Sequence, residues 1–355
     1  MNPHENALDY PFGDTLPATS ELLEVAPGVF WLRMALPFAL NHINLWLLAD
    51  ESPTGQPGWC IIDCGIANDA TRSAWQAIFA TYCQNHPVLR VLATHCHPDH
   101  IGNAAWLCEH WQVPLWASTG EYAFARMMSA GLPGADGVAA LPHFERHGLT
   151  DPALLESMRS RRNYYPSLVP SVPHAYTRLY DQQQLRIGAN SWRMITGFGH
   201  SPEHVALYCE NLQLLISGDM VLPRISTNIS VFAIEPDGDP LGLYLDSLHK
   251  FDDLPETTLV LPSHGKPFRG LATRIAQLRI HHEQRLGEVR IACKQPQSAA
   301  DIVPIMFQRE LDPHQRSFAM GEAIAHLQLL HTMGELCRNL DLDGVIRYRT
   351  MSHFI

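Results

Sequence analysis

Between residues 21 and 64, short apolar runs alternate with clusters of Pro, Gly and Ser. "GVFWLRMAL", "INLWLLAD" and "GWCIIDCG" therefore predict strands. In "DATRSAWQAIFATYC" the apolar residues recur at helical spacing. "VLRVLATHCHPDH" predicts a buried strand that runs straight into a histidine cluster, with "IGNAAWLCEHW" as the helix after it and "VPLWAS" as another short strand. This alternation of strand and helix is the rhythm of an α/β protein. From about 120 to 182 the rhythm fails: short helical stretches are broken by Pro and Gly, which predicts an inserted, mainly helical excursion. Strands resume at "QQLRIGANSWRMITGFGH", "HVALYCE" and "LQLLISGDMVL", followed by a helix at "LGLYLDSLHKF", a strand at "TTLVLPSHG" and a long helix over about 269–293. Beyond it, "SAADIVPIMF", "HQRSFAMGEAIAHLQLLHTMGEL" and "GVIRYRTM" predict two or three helices and then a strand, the outline of a small winged-helix-like unit. The expected division is a main domain over 1–293 and a second over 294–355.

Length and composition narrow this picture. A chain of 355 residues exceeds one small core, so a large domain with a smaller companion is the natural partition. Hydrophobic content of 46% with 17% charged residues matches a globular enzyme. No apolar run approaches the roughly 20 residues that span a bilayer. The opening "MNPHENALDYPFGDTLPATS" has neither a basic start nor an apolar core, so a cytoplasmic location without membrane association is expected. The eight cysteines are too scattered for a disulfide scaffold, and Cys60 and Cys64 are expected in the core. A net charge of −11 disfavours nucleic acid as a partner, since neutralising phosphates needs a basic face. The 20 histidines, with no terminal tag among them, are the unusual feature.

Residues 93–103, "ATHCHPDHIGN", concentrate that feature. At a strand end, positions i, i+2 and i+4 share a face, so His95, His97 and Asp99 can converge while Cys96 and Pro98 face away. His100, opening the next helix, can swing to the same point, and Asp99 has a plainer alternative as that helix's N-cap. Three further ligand types stand at the ends of β-rich runs: His200 in "TGFGHSPEH", Asp219 in "ISGDMVL" and His264 in "VLPSHGKP". Strand ends are where α/β proteins collect functional groups. Imidazole and carboxylate donors without thiolate suit zinc, iron or manganese.

With "IIDCG", "THCHPDH", "GHSPEH", "SGDMVL" and "LPSHGKP" in that order over about residues 60–265, the chain resembles the metallo-β-lactamase-fold hydrolase superfamily, which includes glyoxalase II enzymes and related nucleases. The resemblance implies an αββα sandwich with metals along one edge of its two sheets. It implies that His95, His97 and His200 bind a first cation, that Asp99, His100 and His264 bind a second, and that Asp219 bridges them. Asp63 matches the aspartate that orients ligands from behind, and His204 is expected to stand behind the ligands as well. Zinc is the default for the two divalent ions, with iron and manganese as rivals. Such a pair makes hydroxide available near neutral pH, and Asp99 can hold the second cation and accept a hydrogen bond from the nucleophile. Glu203 replaces a glycine of the usual pattern and is expected to face solvent, with a supporting hydrogen bond behind the ligands as the alternative. The remaining histidines, His281 and His282 included, read as surface or core residues.

Substrate recognition is expected from the insertion. In "RSRRNYYPSL", Arg159, Arg161 and Arg162 adjoin Tyr164 and Tyr165. Arginine forks onto phosphate or carboxylate and tyrosine stacks on flat rings, so this cluster suits an anionic small molecule such as a coenzyme A thioester. The plainer alternative is a solvated helix face with the tyrosines packed beneath it. The reaction expected is hydrolysis of an ester, a thioester or a lactone. Two rivals stand beside it: a metal-dependent ribonuclease or phosphodiesterase, suggested by the winged-helix-like tail, and an iron-dependent oxygenase, which needs fewer ligands than are present. The tail would serve equally as a lid or as a homodimer contact.

Overall fold

The structure, a computed structural model, describes residues 5–132, 138, 140–160 and 164–351. Strands β1 (Leu23–Ala26), β2 (Val29–Ala35), β3 (His42–Glu51) and β4 (Pro57–Ile62) form an antiparallel meander. Helix α1 (Asp69–Tyr82) starts at Asn68, whose side chain accepts the Thr71 N–H at 2.7 Å, a cap that fixes where the helix begins. It crosses to β5 (Val88–Leu92), parallel to β4; α2 (Pro98–Ile101) and α3 (Ala104–Trp111) then lead to β6 (Leu115–Ser118), parallel to β5. Four short helices follow, α4 (Thr119–Ser129), α5 (Ala140–Arg146), α6 (Pro152–Arg159) and α7 (Tyr164–Leu168), before β7 (Tyr176–Leu179) closes a seven-stranded sheet. The second sheet is another meander, β8 (Gln184–Ile187), β9 (Asn190–Gly197), β10 (His204–Cys209) and β11 (Leu214–Gly218). After α8 (Pro240–Leu248), β12 (Leu259–Pro262) joins it parallel to β11. Helices α9 (Leu271–Ala292), α10 (Ala299–Met306) and α11 (Pro313–Thr332) and the hairpin of β13 (Leu336–Leu340) and β14 (Ile346–Thr350) follow.

The two-residue period of a strand builds the layers. On β3, Ile43, Leu45 and Leu47 pack with Trp75 and Ile78 of α1 and Leu107 of α3. Trp46 and Leu48, on its other face, meet Trp192, Leu207, Ile216 and Leu261 of the second sheet. The far side of that sheet sends Ile195, Ala206, Leu215 and Val260 against Tyr244 of α8 and Leu278 of α9. Three apolar interiors therefore separate four layers, an αββα sandwich. Each fully buried Leu or Ile in them contributes about 1.5–3 kcal/mol. The outermost interior continues into Ile302, Ala323, Leu327 and Tyr348 of the C-terminal segment, so that segment shares a core with the second sheet.

Two strands escape the reading of the periodicity. The helical excursion ends in β7, whose "YTRL" joins the edge of the first sheet and was expected to lie within the insertion. At the C-terminus a hairpin replaces a lone strand, because "LCRNL" pairs residue for residue with "IRYRT" across a turn containing Asp343 and Gly344. Both segments are short, and half their residues are polar. Among the described residues, no helix is long and apolar enough to cross a membrane.

Candidate metal centre

The strand directions explain why distant residues meet. Strands β4 and β5 are parallel, β11 and β12 are parallel, and β9 runs the same way as β11 because two antiparallel steps separate them. Their C-terminal ends therefore open on one edge, where Asp63, His95, His200, Asp219 and His264 follow directly. The sheets are fastened there by the Val205 N–H donating to the Thr94 carbonyl at 2.8 Å.

His95 and His97 lie on a bend after β5, not on the strand itself, so strand alternation is not what makes them converge. His97 is the N-cap of α2 and Pro98 its first residue, which moves Asp99 and His100 onto that helix. Asp99 is accordingly no N-cap. The result is two groups: His95, His97, His200 and Asp219 in one, Asp99, His100 and His264 in the other, with donor atoms in each within 4.8 Å of one another. Asp219 spans both. Its Oδ2 lies 3.4 Å from His200 Nε2, while Oδ1 lies 3.6 Å from the Nε2 atoms of His100 and His264.

These donors fit divalent cations. His200 Nδ1 donates to the Asn228 carbonyl at 2.7 Å, with Thr227 Oγ1 2.8 Å away, which leaves Nε2 as a bare lone pair. Thr94 Oγ1 donates to Asp63 Oδ2 at 2.9 Å and so accepts from His95 Nδ1, which leaves His95 Nε2 without a proton, 2.9 Å from His97 Nδ1. These two Nε2 atoms stand 3.2 Å apart. Facing lone pairs repel unless a cation lies between them, and nitrogens around one tetrahedral ion are roughly 3.3 Å apart. His100 Nε2 and Asp219 Oδ1 are buried with no hydrogen-bond partner, which a cation would also resolve.

Electrostatics divides the groups. Burial, reinforced by neighbouring histidines, pushes His95 well below its usual range and His97 down to about 3, so both present neutral nitrogens. Burial acts the same way on His100, but Asp63 and Asp99 outweigh it and hold the ring at about 9. His264 is likewise raised, with Asp219 overcoming burial. Protons on His100 and His264 occupy the lone pairs a cation would take, so metal binding releases them.

Behind the donors lies a set of props. Asp63, held at φ +64, accepts the Thr94 N–H at 2.7 Å and His100 Nδ1 at 2.7 Å. A non-glycine residue in the left-handed region is costly and here serves the site. His264 Nδ1 donates to the His42 carbonyl at 2.7 Å, and His42 Nε2 accepts the Gly265 N–H at 2.8 Å. Asn44 Nδ2 donates to the Pro262 and Gly265 carbonyls at 2.8 and 2.9 Å. His204 lies outside both donor groups, and its Nε2 accepts the Asp219 N–H at 3.1 Å. Gly218 has φ +53, and a Cβ there would come within 2.2 Å of His204 Nε2. Gly218→Ala should therefore cost about 2 kcal/mol in urea unfolding and loosen Asp219. An unchanged midpoint would remove that account of the turn.

Glu121 and His42 were missed. Buried Glu121 accepts the Cys96 N–H at 2.7 Å, the Ser201 hydroxyl at 2.7 Å and the Glu203 N–H at 2.6 Å, tying the His95–His97 loop to the His200 loop. Burial raises its pKa against the pull of those donors. Glu203 does not simply face solvent: its Oε2 accepts the Gly120 N–H at 2.8 Å. Of the residues expected to grip substrate, Arg161 and Arg162 lie outside the described residues. Arg159 is exposed and paired with Glu156 at 3.3 Å, and Tyr164 is half-buried at the start of α7. Tyr165 is packed inward, as in the plainer alternative. Its ring packs on the first sheet's outer core and its hydroxyl donates to the Cys96 carbonyl at 2.5 Å, so it props the histidine loop.

A four-layer sandwich with histidines and aspartates collected on one edge defines a metal-dependent hydrolase fold. The chain belongs to the metallo-beta-lactamase superfamily, whose pattern matches residues 42–264, and residues 286–351 match the metallo-beta-lactamase-like C-terminal domain. It is an enzyme of that superfamily, a metallo-hydrolase. A beta-lactamase domain protein from Burkholderia ambifaria is 58% identical, with a TM-score of 0.93 over 99% of this chain and 100% of that one. A probable metallo-hydrolase of Bacillus subtilis (strain 168) is 22% identical over 312 residues, 85% of this chain and 92% of that protein. An atrochrysone carboxyl ACP thioesterase of Paecilomyces divaricatus is 23% identical over 50% of this chain and 54% of its own length.

Proposed function

We propose that the enzyme hydrolyses a small-molecule ester, thioester or lactone at two divalent cations, zinc by default. His95, His97 and His200 would hold one, and Asp99, His100 and His264 the other. The observation that carries this reading is Asp219, whose two oxygens face different donor groups. Bound there, the cations supply Lewis acidity and lower the pKa of water. Asp99 is the most exposed carboxylate of the site, its side chain 17% accessible against 10% for Asp219 and 1% for Asp63. It is therefore the one placed to accept a hydrogen bond from attacking water. Asp63 and the His42 carbonyl keep His100 and His264 in one tautomer and orientation.

An apolar cavity of about 490 Å³ adjoins His200 and suits an acyl group. Phe124, Phe198, Phe232, Ile234 and Leu243 line it, together with Gly199 and Ser201, the chain neighbours of His200. The thioesterase relative of Paecilomyces divaricatus favours thioesters within the class. Metal analysis combined with a hydrolysis panel tests the reading. The panel holds acyl-CoA and glutathione thioesters, lactones, bis(p-nitrophenyl) phosphate and single-stranded RNA. At least one carbonyl substrate should be cleaved, and His97→Ala should abolish that cleavage. Cleavage of RNA or the phosphodiester alone, lost in the same variant, would overturn it in favour of a nuclease.

A further inference from the structure

A second, larger cleft of about 940 Å³, which shares no lining residue with the apolar cavity, is lined by residues of the N-terminal segment, the β2–β3 connection and the loops after β11 and β12. His264 and Gly265 form part of its wall, so it opens onto the second donor group. Arg33 also lines it, from an unusual place. Strand alternation puts Arg33 on the face that Val29 and Trp31 present to the second sheet, two positions further toward the metal edge. Opposite it on β3 stands Asn44, which holds the backbone of the His264 loop. Inward strand positions ordinarily carry apolar side chains, and a half-buried guanidinium there sheds hydration at a cost.

Nothing nearby offsets that cost. The acidic groups of the cleft are engaged elsewhere: Asp14 with Lys266 at 2.7 Å, and Glu5 with Arg224 at 3.9 Å. Arg33 has no side-chain hydrogen bond or carboxylate partner among the described residues. Its forked donors are free to take a planar or tetrahedral oxyanion.

We propose that Arg33 anchors an oxyanion, carboxylate or phosphate, on the leaving-group half of the substrate. The substrate then lies across the centre, with its acyl end in the cavity beside His200 and its anionic end in the cleft beside His264. The anionic character expected of the substrate would then have its anchor on β2, in the cleft that His264 borders.

The orientation rests on the carbonyl-hydrolase reading, and two measurements separate the failure of one from the failure of the other. The first compares an acetyl-CoA thioester with the uncharged N-acetylcysteamine thioester in wild type, Arg33→Ala and Arg33→Lys. Arg33→Ala should raise KM for the CoA thioester on the order of 10- to 100-fold, the worth of a charge-assisted hydrogen bond. It should leave kcat and the neutral thioester within about twofold, with Arg33→Lys between. The second titrates the purified metal-containing protein with inorganic phosphate and, separately, acetate. Binding of at least one anion should weaken by about tenfold or more in Arg33→Ala, and which one weakens identifies the group. Equal losses on both thioesters would mean a packing role, and anion affinities indifferent to the substitution would mean no anchor; either overturns the proposal. If no ester or thioester is cleaved, the functional reading fails, and the titrations still decide the role of Arg33.

Discussion

Asp219→Asn should reduce kcat/KM on the best panel substrate by about 10³-fold or more, and metal content should fall from two ions per chain. The size follows from geometry. Asparagine keeps the shape of the side chain, and its backbone N–H can still reach His204. It replaces one carboxylate oxygen by an NH₂ that cannot bind a cation, and it removes the charge from both groups at once. Whichever way the amide turns, a donor group loses a member: Oδ2 serves the His200 side and Oδ1 the His100 and His264 side. A thousandfold loss corresponds to about 4 kcal/mol of transition-state stabilisation, a modest demand for a shared ligand. Elemental analysis of the purified variant, run beside the kinetics, separates lost metal from lost reactivity. Two ions per chain and activity within tenfold of wild type would mean that Asp219 bridges nothing.

How much of this centre was legible in the chain depends on where each residue sits. The seven candidate donors were visible because they crowd together at residues 95–100 or follow an apolar run, and strand ends in an α/β sandwich must come to an edge. Their grouping was implied by the family resemblance and not by spacing, because His95 and His97 lie on a bend beyond β5 and Pro98 carries Asp99 onto a helix. Strand β7 and the first strand of the C-terminal hairpin were hidden because "YTRL" and "LCRNL" are short and half polar, and only pairing makes them strands. Tyr165 was read as a substrate-stacking ring or as packing beneath a helix, because nothing local says that Cys96, far earlier in the chain, needs its hydroxyl. Arg33 carries no signal in the sequence beyond its place in the run "GVFWLRMAL". Its meaning appears only once the face it shares with Trp31 is known to point inward.

Glu121 was hidden more thoroughly. Ser118 and Glu121 fit the S-x-x-E pattern of a capping box, and the Ser118 hydroxyl does cap α4. The glutamate is read from sequence as a solvated helix-start residue. Its carboxylate instead turns into the protein.

Glu121→Gln should lower stability by about 3 kcal/mol and weaken metal retention about 10- to 100-fold. Its hydrogen-bond partners are all donors: the Cys96 N–H on Oε2, the Cys96 thiol, and the Ser201 hydroxyl and the Glu203 N–H on Oε1. A carboxylate accepts from all of them, whereas glutamine must point its NH₂ at one side or the other. If that group faces Cys96, two N–H donors collide inside the loop that carries His95 and His97. If it faces Ser201 and Glu203, two donors beside His200 are left unsatisfied. Either way a prop common to three nitrogen donors is lost while the donors themselves remain, so the variant separates positioning from ligation. Urea unfolding reads the first effect, and the rate of metal loss to a chelator reads the second. Arg159→Gln, an exposed helix change, should leave both unchanged. Wild-type stability and wild-type metal retention in Glu121→Gln would show that the two histidine loops hold their positions without it.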